Sequence, residues 1–229
     1  MDSRHSGFES SFLDFERGIR VGHLEPHQRI TQILKRNLQR RFKQDFVVDR
    51  FGRGVYWQWI CFLPRANRSV KPISNRRNFA SSKFFIMVDR AQQLFKTGLQ
   101  VERGFLEPPP QWESCRLADD WDWNQLIARL EGPLYQRIRR FCRTERFHIF
   151  AGSWDSPHEY SPGQFPSRGQ LVEALVGIAP GEWSAFQLYY PMKKEEVERT
   201  PGDEMVEAIM AIFCELTPIM NEIMSVRLD

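Results

Sequence analysis

Ile30, Ile33, Leu34, Leu38 and Phe42 recur at helical spacing, and Arg29, Lys35, Arg36, Arg40 and Lys43 fill the rest of the circumference. Apolar residues at that period predict a helix with one buried stripe. The pattern starts at Pro26, which suits a first turn, and runs to about Phe46. It describes an amphipathic helix with a strongly basic outer face. A second stripe closes the chain: Met205, Ile209, Ile212, Phe213, Leu216, Ile219, Met220 and Ile223. Thr200 is placed to cap its start, Pro201 to occupy its first turn, and Pro218 to kink it. Trp123 to Phe141 is a third helical segment. It begins beside Asp119, Asp120 and Asp122 and ends in Arg137, Arg139, Arg140 and Arg143, the order a helix dipole favours, with Gly132-Pro133 as its breaking point.

Other segments change period. Val55 to Leu63 (VYWQWICFL) is aromatic and β-branched, lies between Gly54 and Pro64, and is apolar in both alternating sets. That pattern predicts a strand covered on both faces. Lys83–Asp89 and Leu94–Arg103 read as an antiparallel pair turning at Arg90–Gln93, with Gly98 marking a bulge or a close backbone approach. Phe147–Ala151 and Trp183–Tyr190 add two strands, and Gln170–Val176 a short helix. Arg65–Ala80 and Ser156–Arg168 read as polar surface loops. Strands that follow one another without helical crossovers argue against a parallel sheet. The expectation is an α+β fold: a mainly antiparallel sheet covered by the amphipathic N-terminal and C-terminal helices. Residues 1–24 form an N-terminal arm and 25–229 a single domain, with a candidate internal boundary at Glu107-Pro-Pro-Pro-Gln111. Phe8, Phe12 and Phe15, spaced by four and three, give the arm one apolar stripe if it is helical. The stripe docks on its own domain or meets a protein partner.

Charge sharpens this picture. The net charge of the 229 residues is only +3, yet residues 1–100 hold 19 Lys and Arg against 8 Asp and Glu, and the remainder 13 against 21. Between Arg29 and Lys83 stand 14 basic residues and only Asp45 and Asp49 as acids. Such asymmetry points either to a polyanionic partner or to a basic half that packs on the acidic one. The candidate contacts for nucleic acid or another polyanion are Arg36 and Arg40 on the helix, and Arg65, Arg68, Lys71, Arg76, Arg77 and Lys83 in and after the loop. Tyr56, Trp57 and Trp59 lie beside them, and aromatic platforms in basic grooves bind single strands. For Trp57 and Trp59 a place in the core is the favoured reading.

Specific chemistry is sparse. No phosphate-binding loop, dinucleotide fingerprint or nucleophile elbow is present, and Gly52-Arg53-Gly54 precedes a strand rather than a helix. The five histidines are scattered, and Pro162 stands where His158-Glu159 would need its second histidine, so no metal site and no cofactor is expected. No lysine has Asp, Glu or Gln two positions before it, which argues against the commonest metal-dependent nuclease core. The acid groups Asp119/Asp120/Asp122 and Glu195/Glu196 read as a helix start and a solvated turn. Four cysteines lie far apart and no apolar run is long enough to span a bilayer, so a cytoplasmic protein without membrane contact is expected.

Two stretches carry a resemblance. Arg76-Arg-Asn-Phe-Ala-Ser-Ser-Lys83 leads into the strand Phe84-Phe-Ile-Met-Val88, and Phe186-Gln-Leu-Tyr-Tyr190 is followed by Glu195-Glu-Val197 and a helix ending Phe213-Cys-Glu-Leu-Thr-Pro-Ile219. In these the chain resembles a family of bacterial conserved hypothetical proteins, a domain of unknown function. The acids and the Pro-Tyr-Lys after that family's basic loop are missing, and the N-terminal region does not match. A vaguer likeness is to the N-terminal recognition domains of modification-dependent restriction systems. The first resemblance implies an α+β fold and no established activity. The expected function is a non-enzymatic binding module whose basic half contacts nucleic acid or another polyanion. The alternatives are an assembly subunit acting through Phe8, Phe12 and Phe15, and a small enzyme on an anionic substrate, with Asp89, Glu102 or His148 as acid or base.

Overall fold

The computed structural model of the chain describes residues 7–71 and 78–229. It is α+β, with nine strands among the described residues in one sheet whose ladders are all antiparallel. In chain order these are β1 (Leu13–Asp14), β2 (Gly18–Arg20), β3 (Phe46–Arg53), β4 (Tyr56–Pro64), β5 (Lys83–Asp89), β6 (Leu94–Gly104), β7 (His148–Ser153), β8 (Pro157–Tyr160) and β9 (Ser184–Lys193). The body of the sheet runs β3-β4-β5-β6-β9-β7-β8. β3 takes one edge of β4 along its whole length, while β2 and β5 share the other, β2 at Tyr56–Trp57 and β5 at Trp59–Phe62. The helices are α1 (Ile30–Phe42), α2 (Arg65–Ser69), α3 (Asp122–Leu130), α4 (Pro133–Thr144), α5 (Arg168–Val176), α6 (Lys194–Arg199) and α7 (Gly202–Ile223). None of the described helices is long and apolar enough to cross a membrane.

The two faces of the sheet are built differently. Ile60, Phe62, Phe84, Ile86, Val88, Leu99, Val101, Phe186 and Leu188 share one buried cluster with residues of α1, α3, α4, α5 and α7. Phe213 of α7 stacks on Phe84 with ring centres 4.7 Å apart, and Phe42 of α1 lies 6.4 Å from the same ring. Alternate residues of the same strands, Cys61, Leu63, Phe85, Phe150, Ala185 and Tyr189, form a second cluster whose members all come from strands. The expectation that both faces of β4 are covered is met over its second half, by Ile60, Cys61, Phe62 and Leu63, all fully buried, whereas Gln58 is exposed and Tyr56, Trp57 and Trp59 are half-buried.

The apolar cluster of the second face comes from strands alone because the sheet curls. In a flat sheet β8 stands three strands, about 14 Å, from β6. Yet Glu159 of β8 reaches Lys96 of β6 at 3.3 Å and Gln92 in the preceding turn at 2.9 Å. Right-handed twist accumulated over successive pairs swings the β7–β8 hairpin across the second face. At Gly98 the backbone of β9 comes very close: a Cβ there would lie 2.1 Å from the Leu188 carbonyl oxygen. Close approach is thus the role of Gly98, and the bulge falls between Glu102 and Gly104 instead.

Several local outcomes differ from the sequence reading. The basic helix ends at Phe42, with Lys43 left-handed, and Phe46–Arg53 is a strand (β3) rather than helix and loop. The polar loops contain α2 and β8. Trp123–Phe141 is two helices, divided at Gly132-Pro133. Thr200 does not cap α7; its hydroxyl donates to the Glu196 carbonyl at the end of α6, and Pro201 holds the cap position without a side-chain bond. α7 runs through Pro218 as one element. Phe8, Phe12 and Phe15 are buried in the helix-side core, not on a helix but around a short 3-10 turn at Ser10–Phe12. The backbone of Phe8 passes so close to Gly202 that any side chain there would collide with its carbonyl, and the Ser10 hydroxyl bonds the Thr200 carbonyl. The described part of this segment, from Gly7 on, is therefore tied into the domain, and the three phenylalanines present no free apolar face.

Candidate functional site

The residues expected to contact an anion separate into two kinds. Arg36 and Arg40 lie four apart on α1, the outward side of a helix whose other side buries Ile30, Ile33, Leu34 and Leu38. Both are exposed, and no ion pair engages either among the described residues. At the end of α1, Gln39, Lys43, Gln44 and Asp45 face α2 across an open depression of about 660 Å³, with Arg65, Ala66 and Ser69 on its far side. Arg65 is exposed and only loosely paired with Asp45, at 3.7 Å. Arg68 is half-buried. Arg76 and Arg77 lie outside the described residues.

Lys71 and Lys83 are placed otherwise. Lys71 is fully buried, 3.0 Å from the Asp122 carboxylate, and donates to the Asn67 carbonyl and side-chain oxygens. Asp122 also accepts from the backbone N–H of Ser82 and the Asn67 amide, and Asn67 in turn accepts from the backbone of Ser225 and Val226. This node joins α2, the start of β5, the start of α3 and the C-terminal tail. Lys83 is fully buried on the inner face of the curl in an ion pair with Glu102. These two positive charges are neutralised inside the fold by acids of the acidic half, so that half of the charge alternative holds for the lysines and not for Arg36 and Arg40.

Inside the curl, rows of directly paired residues line up across the sheet. Lys83, Gln100 and Gln187 stand abreast on β5, β6 and β9. The Gln187 amide donates to the Gln100 side-chain oxygen at 2.8 Å, and the Trp59 indole N–H donates to that same oxygen at 3.0 Å. The Lys83 ammonium lies 5.8 Å from the centre of the Trp59 ring and 5.5 Å from that of Phe79. Burial raises the pKa of Glu102, and the adjacent Lys83 and the Gln100 hydrogen bond oppose that rise without cancelling it. Burial likewise pushes the Cys61 thiol well above its ordinary range, which leaves it an unreactive core residue. Trp59 is thus a half-buried ring packed against the second cluster, with its N–H satisfied. Tyr56 and Trp57 are half-buried under arginines: Arg50 lies 4.0 Å from the Trp57 ring centre, and Arg17 5.4 Å from that of Tyr56.

Asp89 and His148, offered with Glu102 as acid–base candidates, share this inner face but form a separate group at the mouth of the curl. Lys96 bridges Asp89 at 2.9 Å and Glu159 at 3.3 Å and lies over the Tyr189 ring. Burial alone would raise the pKa of Asp89. The hydrogen bond from Lys96 and the backbone N–H groups of Gln92 and Ala91 outweigh it and hold the carboxyl below its ordinary range. Burial lowers the pKa of His148, and Lys96 adds to that effect against Glu159. The partners Lys96, Gln100, Gln187 and Glu159 went unnoticed in the sequence. Only the curl brings them together, and period-2 alternation on β6 and β9 was the one signal pointing to a shared face. Among the described residues no group of three or more His, Cys, Asp or Glu gathers to hold a metal ion. No family model matches the chain, and no curated protein matches it.

Proposed function

We propose that the protein is a binding module for nucleic acid or a similar polyanion, contacted by Arg36 and Arg40 on the outer side of α1 and by Arg65 at the depression between α1 and α2. In this reading α1 and α7 cover one face of the sheet, so α1 turns its apolar stripe inward and its arginines outward. The observation that carries it is the exposure of Arg36 and Arg40 without a carboxylate partner among the described residues, while Lys71 and Lys83 are internally neutralised. Guanidinium groups present a planar fork that fits phosphate, and an exposed pair on a rigid helix is held at fixed spacing. Replacing Arg36 and Arg40 together by Ala should weaken binding to a short labelled duplex or single strand and reduce the salt slope by about 1–2 units. The melting temperature should stay put, because surface substitutions away from buried networks change stability by less than about 0.5 kcal/mol. No binding by the unaltered protein at ~50 mM salt, where screening is weak, would end the proposal.

A further inference from the structure

A second depression, of about 560 Å³, opens at the other end of β4 from α2, between Trp154 and the β5–β6 turn. It shares no lining residue with the α1–α2 surface. Trp154, at the tip of the β7–β8 hairpin, is 60% exposed, yet it is held in place: its ring packs on Phe150 with centres 5.2 Å apart. The turn beneath it is fixed as well. The Ser153 hydroxyl accepts from the Ser156 N–H at 2.9 Å, and Gly152 has a φ of +121° at a point where a Cβ would meet the Ser156 carbonyl oxygen at 2.5 Å. Glu159 anchors the returning strand to Lys96 and Gln92.

The rest of the lining is Gln58 of β4 and Met87 to Ala91 at the end of β5 and in its turn. Among these, the Asp89 carboxylate is taken by Lys96 and by the backbone N–H groups of Ala91 and Gln92. Arg90 is exposed and has no ion pair among the described residues. An exposed indole, a thioether and a guanidinium without an ion pair among the lining residues together match a flat heteroaromatic ring that carries a phosphate.

We propose that this depression binds a nucleotide, its base stacked on Trp154 and its phosphate held by Arg90. Base–aromatic stacking of this kind contributes about 1–3 kcal/mol per base. The test is calorimetric titration of the full chain with adenosine 5′-monophosphate, adenosine and glucose 6-phosphate. The expected result is saturable binding of the nucleotide that falls at least tenfold in Trp154→Ala. Arg90→Ala should weaken the nucleotide and leave adenosine unchanged. Both side chains are exposed, so neither variant threatens folding. Absence of saturable nucleotide binding, nucleotide binding indifferent to Trp154, or glucose 6-phosphate binding as well as the nucleotide would overturn the proposal. The nucleotide has two sources, free or as part of a strand. A short oligothymidine added to the Arg36→Ala/Arg40→Ala protein separates them: affinity at least tenfold above that for thymidine 5′-monophosphate and dependent on Trp154 assigns the site to a strand, and equal affinity assigns it to free nucleotide. Because the arginines of α1 are absent from that variant, failure of the α1–α2 surface and failure of this site are read separately.

Discussion

The two faces of one sheet solve burial in opposite ways. On the helix side, Phe84 meets Phe213, Phe42 and Leu99 in a core built almost entirely of hydrocarbon. On the inner side, the same strands bury Lys83, Glu102, Gln100 and Gln187 beside Cys61 and Phe85. A helix can supply a broad apolar stripe to any sheet face, whereas a sheet that curls on itself must fill a narrow space from its own alternate residues. Where those residues are charged, every group has to find its partner across neighbouring strands, since an unpaired buried charge costs several kcal/mol. The comparison teaches that the apolar side should tolerate loss of material poorly, and the polar side should tolerate loss of balance poorly.

The largest effects test that distinction. Phe213→Ala should destabilise by about 3–5 kcal/mol through the cavity it leaves under Phe84. Glu102→Ala should cost a similar 3–5 kcal/mol, for a different reason: Lys83 is left charged and alone in the interior. Repair separates the two. Lys83→Met combined with Glu102→Leu should recover most of the loss, because replacing both members of a buried pair by apolar groups is often neutral or stabilising by about 1–4 kcal/mol. Denaturant unfolding of the three variants reads this directly. A double variant no more stable than Glu102→Ala would mean that the ion pair itself is required, and the contrast between the faces would collapse.

A smaller effect is expected at Trp59. Trp59→Phe keeps a ring near Lys83 and removes the N–H that donates to Gln100 together with part of the indole's bulk. Gln187 still donates to the same oxygen, so no buried acceptor is orphaned, and the loss should be about 0.5–1.5 kcal/mol. A loss above twice that range would show that the amide row is cooperative rather than a set of separate bonds.

Much of this arrangement was legible before the structure, but unevenly. Periodicity identified α1 and α7, the strand β4 and the β5–β6 pair, because each has a long apolar pattern that tertiary contacts reinforce. β3 was missed: Phe46-Val-Val-Asp-Arg-Phe continues the apolar stripe of α1 in composition, and only pairing with β4 along an edge decides it. β8 was missed because Pro157-His-Glu-Tyr160 is short, polar and exposed, and is a strand only through β7 and the Glu159 anchor. For the candidate site, charge pattern picked out basic residues without separating buried from exposed. Lys71 and Lys83 sit among arginines in the sequence, and their partners Asp122 and Glu102 are 51 and 19 residues away. Partners at such separations leave no local pattern to read.

The smallest expected effect concerns pH. Asp89 is held below its ordinary pKa, so its contribution to stability is complete above the unfolded carboxyl range near 3.8 and is lost as pH falls through the lower folded value. His148 is also lowered, from 6.5, so its neutral form supports the fold above that value and its contribution is lost as pH falls through the depressed one. Both groups lie at the mouth of the curl beside Lys96, whereas on α7 burial raises the Glu215 carboxyl, so that group adds stability rather than losing it as pH falls. Acidification should therefore loosen the β7–β8 hairpin before α7. Hydrogen exchange followed from pH 7 downward should show faster exchange in β8 first, by a margin below about 1 kcal/mol for partly exposed pairs. Asp89→Asn should flatten the lower part of that response and His148→Gln the upper part, each leaving α7 unchanged. Simultaneous loosening of β8 and α7 in the unaltered protein would mean that the two faces open as one unit, and that the polar mouth has no independent weakness.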